Sequence, residues 1–124
     1  MIGYVTLGTN DLEKAAAFYD ELLQLIGANR FMEQETFIAW ATSPKAPGLS
    51  VTKPYDGKPA TVGNGVMVAL IVDAQDKVDA LHAKALELGG KDEGAPGNRG
   101  GGFYAAYFRD LDGNKLNAFC MSSE

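Results

Sequence analysis

Cysteine, histidine and long apolar runs are scarce in this sequence. Cys120 is the single cysteine and His82 the single histidine among 124 residues. One cysteine excludes an internal disulfide and a cysteine-based zinc site within one chain. One histidine excludes a two-histidine metal centre within one chain, and nothing in the sequence places His82 and Cys120 together as a catalytic pair. No stretch approaches the roughly 18 apolar residues of a membrane span. The opening "MIGYVTLGTNDLEK" has neither the basic region nor the apolar run of a secretion signal. Positive charge is in deficit: 11 Lys and Arg stand against 16 Asp and Glu, a net −5, which repels phosphate backbones. These absences predict a cytoplasmic protein with no nucleic-acid partner and no membrane.

What is present is an ordinary globular composition, 46% hydrophobic and 22% charged, in a length that fits one domain over residues 1–124. Residues 2–8, "IGYVTLG", favour a strand. "NDLEKAAAFYDELLQLIG" places Leu12, Ala15, Ala16, Tyr19, Leu22, Leu23 and Ile26 on one helical face. Asn10 and Glu13 suggest a capping box, and Gly27 a stop. Strands are predicted around "ANRFME", "TFIAWAT" and "GLSVTKP".

The pattern then repeats. Residues 67–90 lie over residues 4–27 at an offset of 63 with no gap, and seven of the 24 positions are identical, among them Val5/Val68, Leu7/Leu70 and Gly27/Gly90. Composition alone gives on the order of one or two. At an offset of 67, "WATSPKAPGLSV" (40–51) lies over "YFRDLDGNKLNA" (107–118). Each half therefore reads β-α-β-β-β, with halves of about 1–57 and 58–124. The predicted class is α+β: two paired βαβββ units forming a cupped, barrel-like mixed sheet with helices outside. The mouth of the cup is the expected ligand site.

Two motifs carry less than they suggest. "DLDGN" (110–114) resembles the start of a calcium loop, but that loop's sixth and twelfth positions, a glycine and a glutamate, are Lys115 and Met121 here. A hairpin turn is the better reading. "GAPGNRGGGF" has five glycines but no following Lys-Ser/Thr, so it is not a phosphate-binding loop. It reads as a flexible connection, or as a mobile lid that brings Arg99 to a ligand carboxylate or phosphate. Among the aromatics, Trp40 and Tyr107 are the candidates for lining the cup, with Trp40 favoured for stacking on a ligand. His82 flanks the apolar stripe of the second helix.

"YVTLGTNDLEKAAAFYDELL" at the front and "FRDLDGNKLNAF" at the back resemble the vicinal oxygen chelate superfamily of glyoxalase I, bleomycin-resistance proteins and extradiol dioxygenases. The middle segment is similar to an uncharacterised glyoxalase-like branch. The resemblance covers nearly the whole chain, with Leu111 where the family's turn has proline. It implies four chelate points, which fall on Tyr4, Ser50, Met67 and Asn117. The family usually has histidine, glutamine or glutamate there. Tyrosine, serine, methionine and asparagine are weak ligands for Zn, Ni or Fe(II). The expectation is therefore a small-molecule binder of the bleomycin-resistance kind, with no cofactor and no divalent metal. Tyr4 and Asn117 would hydrogen-bond the ligand and Met67 would pack on it. The alternative is a lyase or isomerase of the lactoylglutathione-lyase type with an altered metal site, in which Tyr4 is the candidate catalytic donor. Whether the protein is an enzyme stays open at this point. A homodimer is expected in either case.

Overall fold

The computed structural model describes residues 1–121. Strand β1 (Tyr4–Gly8) leads into helix α1 (Leu12–Gln24), followed by β2 (Asn29–Glu33), β3 (Phe37–Ala41) and β4 (Gly48–Thr52). The second unit is β5 (Val68–Ile71), α2 (Gln75–Glu87), β6 (Lys91–Asn98), β7 (Phe103–Arg109) and β8 (Lys115–Met121). The sequence repeat is carried into the structure: the bounds of α2 are those of α1 moved by 63 residues.

Helix α1 forms because its apolar residues fall three and four apart. Leu12, Ala15, Ala16, Phe18, Tyr19, Leu22 and Leu23 are all buried. Its cap is Asp11, whose carboxylate accepts from the Lys14 backbone N–H at 3.1 Å. Asn10 is not the cap. It bonds the Ala60 backbone through both side-chain atoms, so it ties the helix start to the linker between the halves. Gly27 takes φ 77° and ends the turn, as expected of a C-terminal glycine.

The strands make two four-stranded mixed sheets, ordered β1-β4-β3-β2 and β5-β8-β7-β6. In each sheet the first and last strands of the unit pair in parallel and the rest are antiparallel. The sheets cup rather than close a barrel. One face of each packs on the helices. Leu7, Ile38, Trp40, Leu49 and Val51 from the first sheet join Ala106, Phe108, Leu116 and Ala118 from the second, with both helices, in a single core. The opposite faces form the walls of the cup. No described helix is long and apolar enough to cross a membrane.

The glycine-rich segment is not a free connection. Residues 91–98 are strand β6, bulged between Asp92 and Gly94 and again before Gly97, and only residues 99–102 turn. Gly100, Gly101 and Gly102 carry the positive φ that this tight reversal requires.

Candidate functional site

Alternation along each strand decides which side chains reach the cup. On β1 these are Tyr4 and Thr6, and on β4 Ser50, which pairs with Thr6 in the parallel register. On β8 they are Lys115, Asn117 and Phe119, and on β7 Tyr107 and Arg109, opposite Asn117 and Lys115.

The first-half wall is uncharged. Tyr4 is exposed, its ring edge-on to Phe37 with centroids 6.1 Å apart. It lines a hollow of about 370 Å³ with Phe31, Met32, Phe37, Ala39 and Thr52. Ser50 is buried and its hydroxyl is spoken for: it donates to the Val5 carbonyl at 3.0 Å and lies 2.8 Å from the Thr6 hydroxyl.

The second-half wall is built differently. Met67 lines a hollow of about 670 Å³ with linker residues Val62–Val66, Arg109 and Lys115. Asn117 is 1% exposed, and its Oδ1 is the one buried side-chain polar atom among the described residues without a hydrogen-bond partner. An unpaired buried carbonyl costs on the order of 1–3 kcal/mol, so this amide is held at a local cost in the free protein. Beside it, Tyr107 carries two cations: the Arg99 guanidinium and the Lys115 ammonium each lie 5.5 Å from its ring centroid.

Tyr4, Ser50, Met67 and Asn117 thus occupy two walls, each of which faces its own hollow. Within one chain, β1 and β5 are the outer strands of separate sheets. A phenol, a hydroxyl, a thioether and an amide do not fit a divalent ion that calls for imidazole or carboxylate. No three His, Cys, Asp or Glu side chains cluster in ligating range among the described residues.

Trp40 corrects an expectation. It is buried, faces α1, packs at a tilt against Tyr19 with ring centroids 5.6 Å apart and donates its indole N–H to Asp20 at 2.8 Å. It belongs to the core and not to the cup. The reason is a slip of one residue. Ser50 pairs with Ala39, whereas Asn117 pairs with Tyr107, so β3 and β7 are related by 68 residues and not 67. Tyr107 matches Ala39 and Trp40 matches Phe108, and a slip of one reverses the face. His82 is also remote from the cup: it is buried on the helix side with Nε2 2.9 Å from Asp92. Lys115 and Arg109 were missed from the sequence, although alternation from Asn117 and the hairpin register both point to them.

The "DLDGN" turn is a lock between the halves. Asp110 is buried and accepts from the Tyr19 hydroxyl at 2.6 Å, from Asn114 Nδ2 at 3.0 Å and from the backbone N–H groups of Asp112 and Asn114. Asn114 Nδ2 also donates to the Gly8 carbonyl at 2.9 Å. Burial first, and the Asp110 charge second, push the Tyr19 phenol well above its ordinary value.

The model of the Glyoxalase/Bleomycin resistance protein/Dioxygenase superfamily matches residues 1–118. The chain belongs to that superfamily. Among solved structures it is similar to a glyoxalase/bleomycin resistance protein from Albidiferax ferrireducens T118, at 36% identity and TM-score 0.89, covering 98% of this chain and 99% of that one. TnmS3, an antibiotic binding protein from Streptomyces sp. CB03234, shares the fold at 23% identity and TM-score 0.70, over 98% and 96% of the two chains. A lactoylglutathione lyase from Agrobacterium tumefaciens does so at 19% identity and TM-score 0.69, over 97% and 92%. No curated protein matches. The fold thus occurs in proteins named as a binder and as a lyase, and the residues in the cup must distinguish them.

Proposed function

We propose that this protein binds a small organic molecule in the cup, without a divalent metal. The observation that carries the reading is Asn117, a buried amide oxygen with no partner, at one of the four chelate points that the family resemblance implies. A ligand O–H or N–H would satisfy it. Tyr4 would offer its hydroxyl from the first-half wall and Met67 an adaptable apolar contact. The antibiotic-binding name of TnmS3 supports a binding role on this fold.

The cup is completed by a second copy of the chain. Strands β1 and β5 are unpaired sheet edges, and they or the residues leading into them expose Ile2, Tyr4, Met67 and Ile71. Edges of this kind invite pairing. A homodimer that lays one chain's β1 beside the partner's β5 unites the two walls. The single free cysteine suits a cytoplasmic setting. Light scattering should return twice the chain mass.

Two measurements test the reading together. Elemental mass spectrometry after incubation with Ni, Zn, Mn, Co and Fe(II) and desalting should find metal well below one per subunit. One metal retained per subunit would overturn the metal-free reading and favour the lyase or isomerase alternative. A thermal-shift screen of small organic molecules should find ligands that raise the melting temperature of the protein but not of Asn117→Leu. Ligands that raise both equally would remove Asn117 from the site.

A further inference from the structure

The second-half wall concentrates positive charge in a chain whose net charge is −5. Lys91 pairs with Arg109 across β6 and β7, and Arg109 pairs with Lys115 across β7 and β8. Arg99 joins them from the turn. The carboxylate facing this group is Glu93, at 3.4 Å from Arg109, which also donates to the Gly113 carbonyl. Arg99 and Lys115 have no carboxylate partner among the described residues and converge on the ring of Tyr107. Two cations held at one ring without a carboxylate leave local positive charge that an anion beside them would offset.

Arg99 is also seated rather than loose. Its Nη2 donates to the Ala95 carbonyl at 2.6 Å. It lies where two glycines leave room: a Cβ on Gly94 would come within 3.0 Å of the Tyr107 ring and 3.3 Å of Arg99 Nη2, and one on Gly97 within 3.2 Å of Arg99 Nη1. The bulged, glycine-bearing course of β6 thus makes a bed for one guanidinium against one ring. Directly across the ladder from Tyr107 is Asn117, with its unpartnered buried oxygen. The first-half wall around Tyr4, Phe31 and Phe37 carries no charge.

We infer that the ligand is an organic anion: an oxyanion group held by Arg99 and Lys115 beside Tyr107, a hydrogen-bond donor reaching Asn117, and an apolar body against the first-half wall that the partner copy brings opposite. This assignment rests on the binding reading above and names its ligand class. Carboxylate, phosphate and sulfonate share the required chemistry.

The test uses two dyes that differ by one sulfonate, 1-anilinonaphthalene-8-sulfonate and neutral N-phenyl-1-naphthylamine, titrated by fluorescence into the full-length protein. The sulfonate should bind at least about tenfold tighter than the neutral dye. Arg99→Gln and Lys115→Gln should each weaken the sulfonate by roughly tenfold and leave the neutral dye unchanged. Lys45→Gln, which removes an exposed first-half cation, should change neither. Added salt should weaken only the sulfonate. Benzoate and phenyl phosphate, used as competitors, should then rank carboxylate against phosphate. Equal affinity for both dyes, with no effect of Arg99→Gln or Lys115→Gln, would overturn the anion assignment while the binding reading stood. Binding of neither dye at about 1 mM would overturn the anion assignment, and the thermal-shift screen would then judge the binding reading separately.

Discussion

The two halves of this protein have the same order of elements and have diverged in two places, the β-hairpin turn and the cup wall. In the first half, residues 42–47 between β3 and β4 run mostly exposed, with a backbone bond of their own from Ala46 to Ser43. In the second, residues 110–114 are folded around a buried carboxylate that reaches Tyr19, while Asn114 reaches Gly8 across the halves. One turn connects two strands, and the other joins two halves. The walls differ as plainly: the first is aromatic and neutral, the second cationic with an unpaired amide oxygen. A duplicated unit keeps its core pattern because packing demands it, whereas turns and open faces are free to change.

The largest expected effect tests the register that relates the halves. Trp40 and Phe108 are equivalent buried positions, so Trp40→Ala and Phe108→Ala should each cost about 3–5 kcal/mol in urea unfolding. Tyr107→Ala, on the cup face, should cost roughly 1 kcal/mol or less. Similar costs for Trp40→Ala and Tyr107→Ala, with a small one for Phe108→Ala, would restore the 67-residue relation.

The next comparison is between the turns. Asp110→Ala strands the Tyr19 hydroxyl and two backbone N–H groups, and should destabilise by about 3 kcal/mol. Ser43→Ala, at the same place in the first half, should cost less than about 0.5 kcal/mol. Equal costs would mean that the second turn does not lock the halves.

The smallest effect separates the walls. Ser50 has its hydrogen bonds made, so Ser50→Ala should lose about 1 kcal/mol. Asn117→Leu removes an unsatisfied buried oxygen at similar volume, and should leave the free protein unchanged or up to about 1 kcal/mol more stable. A clear loss of stability in Asn117→Leu would show that the amide is already partnered in the free protein.

Much of the fold could be read from the chain. Apolar residues at helical spacing mark α1, and the 63-residue repeat places α2, because amphipathic periodicity is a local property. The superfamily could be read from the front and back segments. The site was only partly readable. Asn117 could be named from the family resemblance as a chelate point, but its lack of a partner is visible only in three dimensions. The error at Trp40 has the same origin. Two strands of similar composition align equally well at 67 or 68 residues, and only the hydrogen-bonded ladder chooses between them. In the sequence Arg99 falls in a glycine-rich stretch that suggests a loose loop, because glycine favours turns, yet Gly94 and Gly97 lie in a bulged strand.

By itself, then, the sequence determined the two βαβββ units, the helical faces and the scarcity of histidine and cysteine, since these follow from residue type and near-neighbour spacing. Tertiary structure decided which aromatic faces the cup, which polar atom goes unpaired and where the cations converge. Those properties depend on strand register and on contacts between residues distant in the chain, and a shift of one residue reverses them.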